Sequence, residues 1–172
     1  MVGLAVGVIV WWYWDYRREH RFDAVILAAA QRYQLDPALV KAVVWRESRF
    51  NPDARGRAGE LGLMQIRETA AAEWAGTEHI TSFQHRACLD PVTNTLAGAW
   101  YLKKLLQRYS ATDQPAAYAL ADYNAGRGNV LRWLANGQAE THSEVFMEQI
   151  TFPSTRAYVR AILRRADSYR PL

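Results

Sequence analysis

Three short stretches bring together residue types that can do chemistry: Glu47-Ser48, then Gly59-Glu60-Leu61-Gly62-Leu63-Met64-Gln65-Ile66, then Asp122-Tyr123-Asn124-Ala125-Gly126. Glu47 ends an apolar segment, where hydrophobic neighbours and the negative end of a helix both disfavour a carboxylate. A carboxyl whose pKa is pushed upward can give up and take back a proton near neutral pH, as a general acid must. Taken alone, Glu47 also fits a solvated helix end. Gly59 and Gly62 flank an apolar stretch and permit close backbone approach, with Gln65 offering an amide to a groove wall. A tight turn into the next helix would use the same residues. Tyr123 and Asn124 can donate hydrogen bonds just before a glycine break, or simply pack and cap a helix end. Ser48 reads as a hydroxyl that steadies the helix end, because no histidine lies nearby in sequence to activate it.

The elements that must position these groups are helical. Asp36 followed by Pro37 is an N-cap with proline at the first helical position, and Leu39, Val40, Val43 and Val44 recur at helical spacing. The helix over 36–48 therefore buries one face and carries Glu47 in its last turn, before Asn51-Pro52 turns the chain away. An earlier helix is predicted over 22–33 with Val25, Ile26 and Ala29 inward. Arg55-Gly56-Arg57-Ala58-Gly59 is a loop. Asp90-Pro91 repeats the cap and opens a helix to about Tyr109, with Leu96, Trp100, Leu102, Leu105 and Leu106 inward and Lys103, Lys104, Gln107 and Arg108 outward. Further helices are predicted over 114–123, over 130–135 with a stop at Asn136-Gly137, and over 154–169 with Tyr158, Val159, Ile162 and Leu163 on one face. Residues 138–149 are polar and unpatterned, and read as a loop. No alternating strand of useful length is present. The fold class is all-α, in one domain without internal repeats.

At 172 residues the chain can enclose a proper core. Half its residues are hydrophobic, with seven Trp and nine Tyr. That excludes a disordered chain and suits a groove for flat-faced ligands such as sugar rings. A net charge of +4 and a pI near 9.4 favour an acidic partner: an anionic wall polymer, a membrane surface or nucleic acid. No lysine-rich run or nucleic-acid motif appears, so nucleic acid is not expected as a partner. Cys88 is the single cysteine, which excludes an intrachain disulfide and a cysteine cage. His20, His79, His85 and His142 show no paired ligand spacing, and no metal site is expected.

Residues 1–14 form an apolar run that would cover roughly 21 Å as a helix, against a hydrocarbon core of roughly 30 Å. Trp11, Trp12, Tyr13 and Trp14 suit a membrane interface. Arg17, Arg18 and Arg21 follow the run, and by the positive-inside rule they argue for a cytoplasmic C-terminal side. No Ala-x-Ala site is obvious, so the segment 1–16 reads as a retained signal-anchor, with inner-membrane association through it.

Together and in this order, the blocks resemble lytic transglycosylases of the soluble-transglycosylase type, relatives of goose-type lysozyme. The family pattern of Glu-Ser, Gly-Leu-Met-Gln, Asp-Pro-x-x-Asn-x-x-x-Gly-x-x-Tyr-Leu and Tyr-Asn-Ala-Gly is present, the third block running from Asp90-Pro91 through Asn94 and Gly98 to Tyr101-Leu102. Phe152-Pro153-Ser154-Thr155-Arg156-Ala157-Tyr158-Val159 looks like the family's closing helix. The resemblance covers about residues 22–165, within a catalytic domain over 22–170. The chain departs from the pattern at Gly56, where many relatives carry a serine that hydrogen-bonds the catalytic carboxylate. It departs also at Glu60, at Arg67-Glu68, and at Thr151 and Ser154, where the closing block normally has Pro and Glu. The last difference removes an acidic residue tied to peptide-stem recognition.

The resemblance implies a lysozyme-like helical domain with a substrate groove, acting on the glycan strands of peptidoglycan. It implies Glu47 as a single general acid/base, with Ser48, Gly62, Met64, Gln65, Tyr123 and Asn124 at the substrate. Glycosidases ordinarily use two carboxylates. The family manages with one, because the substrate's own acetamido oxygen and C6 hydroxyl take the other roles and leave a 1,6-anhydro end. No cofactor or metal is implied. The resemblance requires the catalytic domain to reach the periplasm, against the charge flank of the apolar run, so the expected protein is a periplasmic monomer tethered to the inner membrane. Two alternatives stay open: a lysozyme-like hydrolase with Glu60 as second carboxylate, and a peptidoglycan-binding module without catalysis.

Overall fold

The computed structural model describes residues 2–135 and 138–170, with side chains at all of these except 2–6, 8–11 and 138. The helices in order are α1 (Val2–His20), α2 (Asp23–Arg32), α3 (Pro37–Ser48), α4 (Glu68–Thr77) and α5 (Pro91–Arg108). They continue with α6 (Pro115–Ala125), α7 (Arg127–Leu134), α8 (Ser143–Gln149) and α9 (Pro153–Tyr169). Short 3-10 turns cover His85–Leu89 and Gln138–Glu140. Among the described residues there is no strand, only two isolated bridges, Arg55 to Leu61 and Leu61 to Ile66, that fold the loop after α3 back on itself.

The cap-plus-proline starts behave as the sequence requires. Asp36 accepts from the N–H of Ala38 at 2.9 Å and Asp90 from that of Thr93 at 2.8 Å, so proline's missing donor costs nothing. From Ala38 to Val44 every residue of α3 is buried. This makes α3 the central helix, and its most extensive partner is α9. Burying Leu39, Val40, Val43 and Val44 contributes about 1.5–3 kcal/mol apiece.

Lys41, in the same run, is fully buried. Its ammonium meets Oδ1 of Asp23 at 2.6 Å and stands over the Tyr169 ring, 4.9 Å from the centroid. One buried cation thus ties α2, α3 and α9 together, at the desolvation cost such a pair carries.

Two features go beyond or differ from the sequence reading. Residues 68–77 form α4. The stretch read as a loop over 138–149 holds a 3-10 turn and α8. Asp113, thirty residues upstream, accepts from the Ser143 N–H at 2.9 and 3.1 Å and from its hydroxyl at 3.0 Å;. A seven-residue helix has too little periodicity to be recognised, and here its start is fixed by a distant side chain. The stop expected at Asn136-Gly137 lies outside the described residues.

The N-terminal apolar run continues as helix through Arg17 and Arg18 to His20. Among the described residues no helix is long and apolar enough to cross a membrane. The end of α1 is docked on the rest of the fold: Glu19 accepts from Arg165 and from the Tyr169 hydroxyl on α9. Trp12, Tyr13, Trp14 and Tyr16 remain exposed.

Candidate active site

Glu47 is delivered by the last turn of α3. Arg49 and Phe50, with φ of 52° and 62°, then take the left-handed conformation that lets the chain leave abruptly. Two consecutive non-glycine residues there store backbone strain beside the carboxyl. Glu47 opens onto a cleft of about 370 Å³, whose walls include Glu60, Gln65, Thr69, Tyr101, Tyr123 and Asn124. The Tyr158 hydroxyl of α9 donates to Oε1 of Glu47. Burial pushes the Glu47 carboxyl up to about 7, against the pull of the Tyr158 hydrogen bond and the Arg46 charge, with Glu60 adding to the rise. The group is therefore poised to exchange a proton near neutrality.

The loop opposite is held by Asn94 of α5, which is fully buried. Its Oδ1 accepts from the Met64 N–H at 2.7 Å, and its Nδ2 donates to the carbonyls of Leu61 at 2.8 Å and Cys88 at 2.7 Å. Gly62 has φ +73°, and a β-carbon there would lie 2.3 Å from both Asn94 Nδ2 and the Cys88 carbonyl oxygen. Only glycine fits that turn. The Met64 carbonyl then accepts from the Tyr123 hydroxyl at 2.8 Å, fixing the ring beside the cleft. The rings of Tyr101 and Tyr123 lie 5.4 Å apart in a tilted pair.

Of the residues expected at the site, Glu47, Gln65, Tyr123 and Asn124 share this cleft. Gln65, expected to offer its amide to the groove, enters it with one half of that group already engaged. Both hydrogens of its Nε2 serve the backbone carbonyls of Ala54, at 3.1 Å, and Gly62, at 2.9 Å. Oε1 is the atom left to meet a ligand. Asn124 is exposed, and its Oδ1 accepts from Thr155 at 2.8 Å.

Ser48, Gly62 and Met64 are placed outside the cleft lining. Ser48 bonds the Val44 carbonyl one turn back, at 3.2 Å. Gly62 is packed under Asn94, and the Met64 side chain is fully buried. Sequence spacing puts these three beside site residues, but Ser48 turns back along its own helix, Gly62 lies under Asn94 and the Met64 side chain enters the core.

Tyr158, Tyr101 and Thr69 are site residues that the sequence reading did not single out as such. Tyr158 stands 111 residues from Glu47. Its signal was a position on the apolar face of the closing helix, which marks burial and says nothing of a carboxylate partner.

Three carboxyl groups line the cleft: Glu47, Glu60 and Asp122. Asp122 accepts from Arg108 at 2.6 Å and from the Tyr109 hydroxyl at 2.7 Å. Glu60 pairs with Arg67 at 2.9 Å, and its Oε2 accepts from the Ala58 N–H at 3.0 Å. Partial desolvation opposes ionisation of Glu60, but its backbone hydrogen bonds and Arg67 hold its carboxyl below the usual range. Glu47 forms no ion pair among the described residues. It is the cleft carboxyl that can cycle between its two forms near pH 7. Among the described residues no group of three or more His, Cys, Asp or Glu is placed to hold a metal.

The transglycosylase SLT domain model matches residues 24–146. The soluble lytic murein transglycosylase of Escherichia coli (strain K12) is 31% identical over 162 residues, covering 91% of this chain and 24% of that protein. The 70-kDa soluble lytic transglycosylase in complex with bulgecin A superposes with a TM-score of 0.80 at 27% identity, over 98% of this chain and 27% of that one. An inactive glutamate-to-glutamine mutant of lytic transglycosylase Slt from Pseudomonas aeruginosa superposes with a TM-score of 0.76 at 30% identity, over 85% of this chain and 23% of that one. The fold is thus the all-α, lysozyme-like one. The chain spans about a quarter of the length of the curated relatives it matches.

Proposed function

Since the chain belongs to the transglycosylase SLT domain family, we propose that the Glu47 cleft cuts the β-1,4 bond between N-acetylmuramic acid and N-acetylglucosamine in peptidoglycan. The observation that carries this reading is the setting of Glu47: a half-buried carboxyl, hydrogen-bonded by Tyr158 and pushed up to about 7 by desolvation, in a cleft whose other carboxyl groups are engaged by arginines.

Glu47 first protonates the glycosidic oxygen, and the bond from that oxygen to the muramoyl anomeric carbon breaks. The muramoyl acetamido oxygen stabilises the positive charge left on that carbon. Glu47, now a carboxylate, takes the proton of the C6 hydroxyl as O6 bonds to the anomeric carbon. The proton returns to Glu47, no water is consumed, and the products are a free N-acetylglucosamine 4-hydroxyl and a 1,6-anhydro-muramoyl end. Tyr101 and Tyr123 offer ring surface to the sugars. Gln65 Oε1 and Asn124 offer polar atoms, while Ser48, Gly62 and Met64 serve by holding the backbone. No cofactor takes part.

The catalytic domain acts in the periplasm on this reading. The exposed aromatics of α1, with Arg17, Arg18 and Arg21 beside them, associate with the inner membrane. Digestion of purified sacculi with the full chain, followed by mass spectrometry of the soluble fragments, tests the chemistry. Anhydro-muropeptides are expected. Reducing ends would overturn the lyase reading and make Glu60 the next residue to substitute. Binding to sacculi without any release would favour a binding module.

A further inference from the structure

The wall of the cleft formed by the loop after α3 and the start of α4 carries a charged arrangement that the proton transfers do not use. Arg67 donates from Nε to Oε1 of Glu60 at 3.0 Å, and Nη2 meets the same oxygen at 2.9 Å. Glu60 is itself fixed by the Ala58 N–H and by space: its Oε2 fills the position above Gly56, 2.1 Å from where a β-carbon would stand. The clamp settles one edge of the guanidinium. Nη1 is not part of it, and the Arg67 side chain keeps 64% of its surface exposed in the cleft lining. Thr69 presents its side chain on the same wall.

An arginine held by one edge and open along another is pre-organised to meet a planar anion with parallel N–H donors, at little further loss of side-chain freedom. Because Glu60 already balances its charge, attraction must come from directed hydrogen bonds more than from the field of the wall. That favours a carboxylate over a diffuse anion.

We propose that Arg67, clamped by Glu60, is a specificity-determining residue that binds a carboxylate carried by the muramoyl unit of the glycan. The proposal rests on the glycan-cleaving reading above. The carboxylate has two sources: the lactyl group of a peptide-free strand, or the stem peptide where the lactyl group is amidated.

The test is calorimetric binding to the full chain carrying Glu47→Gln, with and without Arg67→Gln. Three ligands of matched length are used: peptide-free glycan, glycan with stem peptides, and a chitooligosaccharide with the same acetamido sugars and no carboxylate. Arg67→Gln is expected to weaken binding by about tenfold for at least one carboxylate-bearing ligand. Binding of the chitooligosaccharide should stay within about twofold. A loss confined to the peptide-free strand identifies the lactyl carboxylate, and a loss confined to the stem-bearing strand identifies the peptide. Arg67→Lys, which keeps the charge and loses the fork, should fall between the two proteins. Equal losses for all three ligands, or none, would overturn the assignment of Arg67 while leaving the glycan site intact. If the Glu47→Gln protein binds none of the three, the glycan reading itself fails and the role of Arg67 falls with it.

Discussion

The hydroxyl of Tyr158, in the second turn of α9, donates to Oε1 of Glu47 at the end of α3. Tyr158 is itself buried, with the Arg46 guanidinium over its ring at 5.3 Å from the centroid. The bond therefore lies across the most extensive helix pair in the fold, so the packing that holds the core also aims the carboxyl. Removing the hydroxyl changes the chemistry of Glu47 without emptying much of the core.

Tyr158→Phe should lower turnover by about 10–100-fold, the range of a hydrogen bond to a charged group. The bond favours the charged form of Glu47, so its loss should raise the Glu47 pKa above about 7 and move the alkaline limb of the rate profile to higher pH. A pH profile of kcat/KM checks both. An unmoved limb would mean that the tyrosine only packs.

Glu47 also makes stability depend on pH. Its folded pKa, about 7, lies above the ordinary 4.5. The stabilisation from keeping it protonated is thus fully present below pH 4.5 and is lost as pH rises through 7. The full loss is about 3 kcal/mol. Glu47→Gln cannot ionise, so its stability relative to wild type should grow by about that amount between pH 4.5 and pH 8.5, as urea unfolding would register. A difference independent of pH would contradict the raised pKa.

Gly56 and Glu60 compete for one space. Gly56→Ser must displace the Glu60 carboxylate from Arg67 and the Ala58 N–H, at a cost of about 1–2 kcal/mol. Adding Glu60→Ala should recover part of that, giving a coupling of about 1 kcal/mol in a double-mutant cycle. Simple additivity would show that the two positions do not share the space.

Asn94→Ala should be the most damaging of these changes. It leaves the Met64 N–H and the Leu61 and Cys88 carbonyls without their buried partner. About 3 kcal/mol or more should be lost on chemical denaturation. Tyr123, which is held through the Met64 carbonyl, should lose its fixed ring environment in near-ultraviolet circular dichroism.

Much of this molecule was legible in the chain. Asp36-Pro37 and Asp90-Pro91 marked two helix starts to the residue, and the repeat of Leu39, Val40, Val43 and Val44 placed Glu47 at the end of a buried helix. What sequence could not supply were relationships between distant segments. Asp113 caps α8 from thirty residues away, and Tyr158 meets Glu47 across 111. Lys41 is buried in an apolar run because Asp23 and Tyr169, from two other helices, surround it. Adjacency does not set direction: Ser48, next to Glu47, steadies the helix end as its hydroxyl suggested, while Met64, next to Gln65, is buried in the core.

The most direct test of the central claim compares release of soluble fragments from sacculi by the wild-type chain and by Glu47→Gln at pH 6, where wild-type Glu47 is mostly protonated. Loss of the general acid/base should slow release by about 10²–10⁴-fold, while the variant still binds the sacculi. Release by Glu47→Gln at the wild-type rate would contradict the account.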